Sequence, residues 1–255
     1  MNEGKEKKGG REKGNDSHRF LFPVSCSLFP PVITLDGPAG AGKSTIARKL
    51  SARLTEQGPT PFEYLDTGSM YRAVTLLGIR ESVDWSNPGQ LVSLASRATV
   101  DVIDGRTFLN GEDVTATVRS PEITQLTKFA ADNPQIRELM VALQRRIADR
   151  LVAEGKGLVT EGRDQGSVVF PDAAFKIWLT ATPEERARRR LGEIQQRGES
   201  GDYHEILRRI IERDARDASR TVGPMLQPKG AILLETDGMD IEAVLERLTG
   251  IVLSE

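Results

Sequence analysis

Cysteine is nearly absent from this chain: Cys26 is the only one in 255 residues. That excludes an intrachain disulfide, and with only two histidines it leaves no zinc constellation. Aromatic residues are sparse at 5%, and no apolar run approaches the length of a membrane helix. Neither sign of charge dominates. The 35 Lys and Arg against 37 Asp and Glu give a net charge of -2, which argues against a protein that coats nucleic acid. What remains, 38% apolar and 28% charged residues, is ordinary for a soluble enzyme of one α/β domain.

Residues 1–19 are rich in lysine, glutamate and glycine and lack apolar periodicity. The apolar stretch from Phe20 to Pro31 is not expected to be a secretion signal. Pro23 and Pro30-Pro31 interrupt it, acids precede it, and no convincing cleavage site follows. The expectation is a disordered extension over residues 1–30, a folded domain over 31–255, and a cytoplasmic protein.

Gly37-Pro38-Ala39-Gly40-Ala41-Gly42-Lys43-Ser44 is the most informative run present. It fits Gly-x-x-x-x-Gly-Lys-Ser, with the apolar run Val32-Ile33-Thr34-Leu35 before it. Behind it Ile46, Ala47, Leu50 and Leu54 keep helical spacing until Gly58-Pro59. Glycines let successive backbone N–H groups converge on phosphate oxygens, and the following helix adds its positive end. Gly37 to Ser44 and the adjoining Thr45 are therefore the expected contacts of a nucleoside triphosphate. Lys43 neutralises the outer phosphates and Ser44 holds the accompanying magnesium.

Five short apolar runs read as parallel strands: Val32–Leu35, Phe62–Leu65, Gly157–Thr160, Phe175–Leu179 and Ile232–Glu235. Each precedes a helical pattern or helix-start chemistry, such as Thr182-Pro183-Glu184-Glu185. Asn133-Pro134 opens another helix, with Ile136, Leu139, Met140, Leu143 and Ile147 as its stripe. The pattern predicts an α/β fold: a five-stranded parallel sheet with helices on both faces and ligands at the strands' carboxyl ends. Between the second and third strands lie about 80 residues, too many for a simple connection. Asp104-Gly105 and Asn110-Gly111 there punctuate three short runs and predict a small antiparallel insert that covers a second substrate.

Polar residues gather at the predicted strand ends. Asp66-Thr67-Gly68-Ser69-Met70-Tyr71-Arg72 follows the second strand, which aims Arg72 into the cleft or leaves it a surface arginine. Glu161-Gly162-Arg163-Asp164 ends the third strand, where Glu161 is placed to organise a magnesium water shell. Arg186, Arg188, Arg189 and Arg190 crowd one helix ahead of a glycine-rich break at 198–202. They are a solvated face or the cationic side of a closing lid over about 185–205. Arg213, Arg216, Asp217 and Arg220 share a helix face, for ligand contact or for intrahelical pairing.

Taken in order, the phosphate loop, Asp66–Arg72, the run from Glu161 to Ala173 and Arg213-Asp214-x-x-Asp217-x-x-Arg220 resemble bacterial-type cytidylate kinases. The resemblance covers about residues 31–255. It implies the nucleoside monophosphate kinase fold, an acceptor-binding region over about 67–150, and transfer of a phosphoryl group from magnesium ATP to CMP or dCMP. Arg72, Arg163 and Arg220 match the arginines that clamp the acceptor phosphate. Arg213 and Asp217 match the pair on the ribose, and Arg137 and Asp164 the readers of cytosine. Thr67 matches a small hydroxyl residue near the base. A serine that also touches the base has Lys128 at its place by direct count, and Thr127 if the loop at Asp132-Asn133 is one residue longer. Thr127 carries the hydroxyl and is the reading adopted.

Lys43, Arg72, Arg163 and Arg220, with lid residues Arg186 and Arg190, form the expected catalytic set. The family leads to the expectation of a monomer with no nucleic-acid or membrane partner. Two rivals remain at this level: a kinase for UMP, AMP or shikimate, and a nucleotide-hydrolysing switch.

Overall fold

A computed structural model describes residues 31–103 and 105–254. The expected disordered extension over residues 1–30, with Cys26, lies outside the described residues. Within them, the five runs form one parallel sheet: β1 (Val32–Asp36), β2 (Phe62–Asp66), β6 (Gly157–Gly162), β7 (Phe175–Thr180) and β8 (Ile232–Glu235). Their order across the sheet is β2-β6-β1-β7-β8, which puts β1 at the centre. Its carboxyl end lies between those of β6 and β7, so the loop it feeds opens at a crevice.

Both sheet faces are covered, each for a legible reason. Ile33 and Leu35 of β1, Val159 of β6 and Ile177 and Leu179 of β7 point to one side. There they meet the buried stripe Ile46, Ala47, Leu50 and Leu54 of α1 (Lys43–Gln57) and Val244, Leu245 and Leu248 of α8 (Ile241–Leu253). Opposite them, Leu65 and Leu158 pack with α2 (Thr67–Arg80), and Ile136, Met140, Ile147 and Leu151 of α5 (Pro134–Ala153) complete that core. This second side also carries a polar layer. Thr34, Thr160, Gln144 and Gln165 are all buried, and Gln165 links Thr160 to Gln144 through bonds of 2.9 and 3.0 Å.

Two expectations are corrected. β6 is not followed by a long helix; a single π-type turn, Gln165–Val169, leads directly to β7. Backbone N–H groups of that turn are held by a β1 carboxylate. The second concerns the insert. Its antiparallel strands β3 (Val100–Ile103), β4 (Arg106–Leu109) and β5 (Glu112–Asp113) form as expected, but none of their residues lines the central cleft. Val100, Val102 and Leu109 instead bury against α2, and Thr107 Oγ1 donates to Ser69 Oγ at 2.8 Å. The insert braces the back of α2, and α4 (Pro121–Ala131) takes the cleft side. α3 (Pro88–Ala95) packs behind them. Past β7, α6 (Pro183–Gln196) and α7 (Tyr203–Ala218) form a hairpin that breaks at residues 197–202.

Ile177 is completely buried at the centre of the α1 and α8 face. Ile177→Ala should therefore cost about 2–5 kcal/mol through lost burial and a residual cavity. Urea unfolding checks this, and a loss below about 1 kcal/mol would show that the face is loosely packed.

Candidate active site

The phosphate loop leaves β1 through Gly37, whose φ of 147° and setting suit no other residue: a Cβ there would fall 2.0 Å from the Leu179 carbonyl oxygen. α1 then starts at Lys43 with no capping side chain and no acid in its first turn. By contrast α2, α4, α5, α6, α7 and α8 are capped by Asp66, Ser120, Asn133, Thr182, Asp202 and Asp240. The N–H groups at the start of α1 are thus left for an anion.

The loop forms one wall of a cleft of about 1070 Å³ that runs across the carboxyl ends of β1, β2 and β6. Residues expected from the sequence line it: Ala39 to Thr45, Thr67, Arg72, Thr127, Arg137, Glu161, Arg163, Asp164, Arg213, Asp217 and Arg220. Gly37 and Pro38 sit behind that wall. Lys128 does not line the cleft; its Nζ lies 5.1 Å from the centre of the Phe129 ring.

The lid arginines divide. Arg190 is exposed, pairs with Glu193 at the cleft's edge and does not itself line the cleft. Arg186 is buried under the loop, donating to Ala39 O at 2.8 Å and Ala181 O at 2.9 Å and pairing with Asp214 at 2.7 Å. Asp214 in turn accepts from Ala39 N at 3.3 Å, so this pair anchors the α6–α7 hairpin to the loop. Of the arginine run on α6, Arg189 is the one that lines the cleft.

Charges in the cleft satisfy one another in pairs. Asp217, only 2% exposed, accepts from Arg163 Nε at 2.9 Å and from Arg220 Nη2 at 2.7 Å. Burial alone would push its carboxyl up, but Arg163, Arg220 and Arg213 outweigh that and hold its pKa below the usual value. Arg220 also donates to Asp132 at 2.7 Å, and Arg72 pairs with Asp66 at 3.0 Å. At the cleft's far end the nearly buried Arg137 and Asp164 pair directly, with the Arg137 guanidinium 5.6 Å from the centre of the Tyr71 ring. Gly223 closes over this pair in the left-handed region; a Cβ there would meet both side chains at 2.1–2.2 Å. Asp66, Tyr71, Asp132, Asp214 and Gly223 were not picked out from the sequence. Asp66 and Tyr71, inside the Asp66–Arg72 run, and Asp214, inside the Arg213–Arg220 run, carried a local signal; Asp132 and Gly223 carried none.

At the loop, Ser44 Oγ donates to Glu161 Oε1 at 2.7 Å, and Asp66 lies opposite Glu161 in the sheet register. Burial, then the Glu161 carboxylate, pushes Asp66 up. Lys43 Nζ donates to Pro38 O at 2.7 Å and is buried. Burial and the nearby Arg163 lower its pKa to about 7, against the opposing pull of Glu161. An anionic phosphate beside Lys43 would favour its charged form and offset the cost of its burial.

Comparisons with known proteins agree with this geometry. The family model described as cytidylate kinase matches residues 33–253. The cytidylate kinase of Caldanaerobacter subterraneus subsp. tengcongensis is 44% identical over 216 residues, 85% of this chain and 92% of that protein. That of Rhodopirellula baltica is 44% identical over 221 residues, 87% of this chain and 92% of the relative. A third, from Pelotomaculum thermopropionicum, is 45% identical over 223 residues, 86% and 94% respectively.

The Lys43 shift has a stability consequence. Between about 7 and 10.5 the unfolded chain holds this proton more tightly than the folded one, so stability rises with pH across that window. From pH 7 to 9 the gain should be on the order of 2 kcal/mol, and Lys43→Met should lack it. Denaturant melts of both proteins without nucleotide check the difference; parallel pH profiles would contradict it.

Proposed function

The chain belongs to the cytidylate kinase family, and from that premise we propose how its cleft performs the transfer of a phosphoryl group from ATP to CMP or dCMP. The donor's phosphates lie along Ala39 to Thr45, with Gly37 and Pro38 shaping the loop behind them and Lys43 against the outer phosphates. Arg72, Arg163 and Arg220 exchange their present carboxylate partners for the acceptor phosphate. Asp217 and Arg213 take the ribose hydroxyls, and Thr67 and Thr127 line the base pocket. The observation that carries this reading is the Arg137–Asp164 pair at the far end of the arginine cluster. Asp164 can accept from the exocyclic N4 amine of cytosine, which uracil lacks, while Arg137 donates to N3 and O2.

An oxygen of the CMP phosphate attacks the γ-phosphorus of ATP. One P–O bond forms, the bond to the β–γ bridging oxygen breaks, and ADP leaves with that electron pair. The attacking oxygen is already anionic, so no general base is needed. Catalysis comes from positioning and from cationic stabilisation of the transferred group by Lys43 and the clamp arginines. Arg186 serves from beneath by anchoring the loop, and Arg190 would join the cleft only on lid closure over about 185–205.

Among the described residues no group of three or more His, Cys, Asp or Glu side chains could hold a metal ion. The hard oxygens of Ser44 and Glu161 nonetheless fit magnesium arriving with its own waters and phosphate ligands. Ser44 would bind the ion and Glu161 would order its waters; when bound, it would spread the charge of the phosphates. The acceptor-binding region over about 67–150, a monomeric state and a cytoplasmic location belong to the same proposal. Among the described residues no helix is long and apolar enough to cross a membrane.

Asp164→Ala tests the assignment. A base contact of this kind is worth about 1–3 kcal/mol, so KM for CMP should rise about tenfold or more while KM for ATP changes little. Equal effects on both substrates would remove Asp164 from the acceptor site.

A further inference from the structure

We infer that Asp36 is a positioning residue for the acceptor, holding the turn that presents Arg163 and Asp164 to it from the strand that feeds the donor loop. Asp36 is the last residue of β1 and is completely buried, directly ahead of Gly37. Its Oδ1 accepts from Gln165 N at 2.8 Å and its Oδ2 from Gly166 N at 2.7 Å. Both of its oxygens therefore grip the first two residues of the π-type turn, immediately after Asp164. The same turn is fixed from two further sides. Gln165 is bonded to Thr160 and to Gln144 of α5, and the exposed Arg145 donates to the carbonyls of Val168 and Val169 at 2.9 and 3.0 Å. α5 also carries Arg137, so both partners of the base-reading pair are tied to one buried network.

Both hydrogen bonds of the carboxylate go to the turn and neither to the donor loop, which it reaches only through its charge near Lys43. The Asp36 backbone is held by sheet register with Gly162 of β6 and Trp178 of β7, whatever its side chain does. Asparagine at this position keeps the volume but offers one acceptor and turns an NH2 towards the other amide N–H. The turn then loses one tether, and Arg163 and Asp164 lose their fixed placement while the loop's exit from the sheet is kept.

This inference rests on the acceptor reading above, and its test separates the two. Steady-state kinetics with CMP and ATP on Asp36→Asn should show KM for CMP raised about tenfold, with KM for ATP within threefold of the parent. A purely structural role would lower the active fraction, and so kcat, without splitting the two KM values. Arg145→Gln loosens the turn from the solvent side and serves if Asp36→Asn does not fold; it should raise KM for CMP about threefold and leave that for ATP unchanged. Parallel changes in both KM values, or none in either variant, overturn the role of Asp36. If Asp164→Ala still raises KM for CMP in that case, the acceptor reading stands without Asp36. If Asp164→Ala has no effect on that KM, the acceptor reading itself falls.

Discussion

A carboxylate that is 2% exposed cannot stand alone, and the cleft is organised around that constraint at Asp217. Removing one partner from a buried ion pair typically costs about 3–5 kcal/mol, because the remaining charge is stranded away from water. Asp217 therefore fixes Arg163 from the end of β6 and Arg220 from the end of α7, and Arg220 reaches on to Asp132 at the end of α4. Three elements far apart in sequence are held at one point by mutual neutralisation. Arg137 with Asp164, and Arg72 with Asp66, repeat the device at the far end and at β2. The pairs keep several guanidiniums in place ahead of an anionic ligand, so binding exchanges partners instead of ordering free side chains.

The sheet explains why donor and acceptor meet. β2, β6 and β1 are parallel neighbours in that order, so the residues that follow each emerge along one edge: the start of α2 at Asp66–Arg72, the Glu161–Asp164 segment and the phosphate loop. The central strand contributes twice. Its main chain continues into the donor loop, and its last side chain bonds the acceptor turn. The α6–α7 hairpin is tied to the same loop by Arg186 and Asp214.

Much of this was legible in the sequence wherever the signal was local. The five apolar runs became the five strands within one or two residues at each end, because buried parallel strands need short apolar stretches. Asp104-Gly105 and Asn110-Gly111 marked the insert, and Asn110 and Gly111 do take positive φ. What the sequence left open depends on partners distant along the chain. Nothing near Asp132 marks it as the partner of Arg220, and nothing near Asp214 ties it to Ala39. The insert's place was misread for the same reason: Thr107 and the apolar side chains of β3 and β4 face α2, a choice set by packing that no turn signal encodes. Arg186 and Arg190 look alike in a run of arginines, yet a position four residues apart on α6 separates a buried anchor from a solvent-facing side chain.

The central claim is that the far end of the cleft reads a cytosine through Arg137 and Asp164 while the loop grips ATP. One coupled assay with magnesium ATP and CMP, dCMP, UMP, AMP and shikimate in turn addresses it most directly. The account predicts that CMP and dCMP are consumed at kcat/KM values about a hundredfold or more above the others, with negligible ATP hydrolysis when no acceptor is present. Faster transfer to UMP, AMP or shikimate, or ATP hydrolysis that no acceptor stimulates, would contradict it.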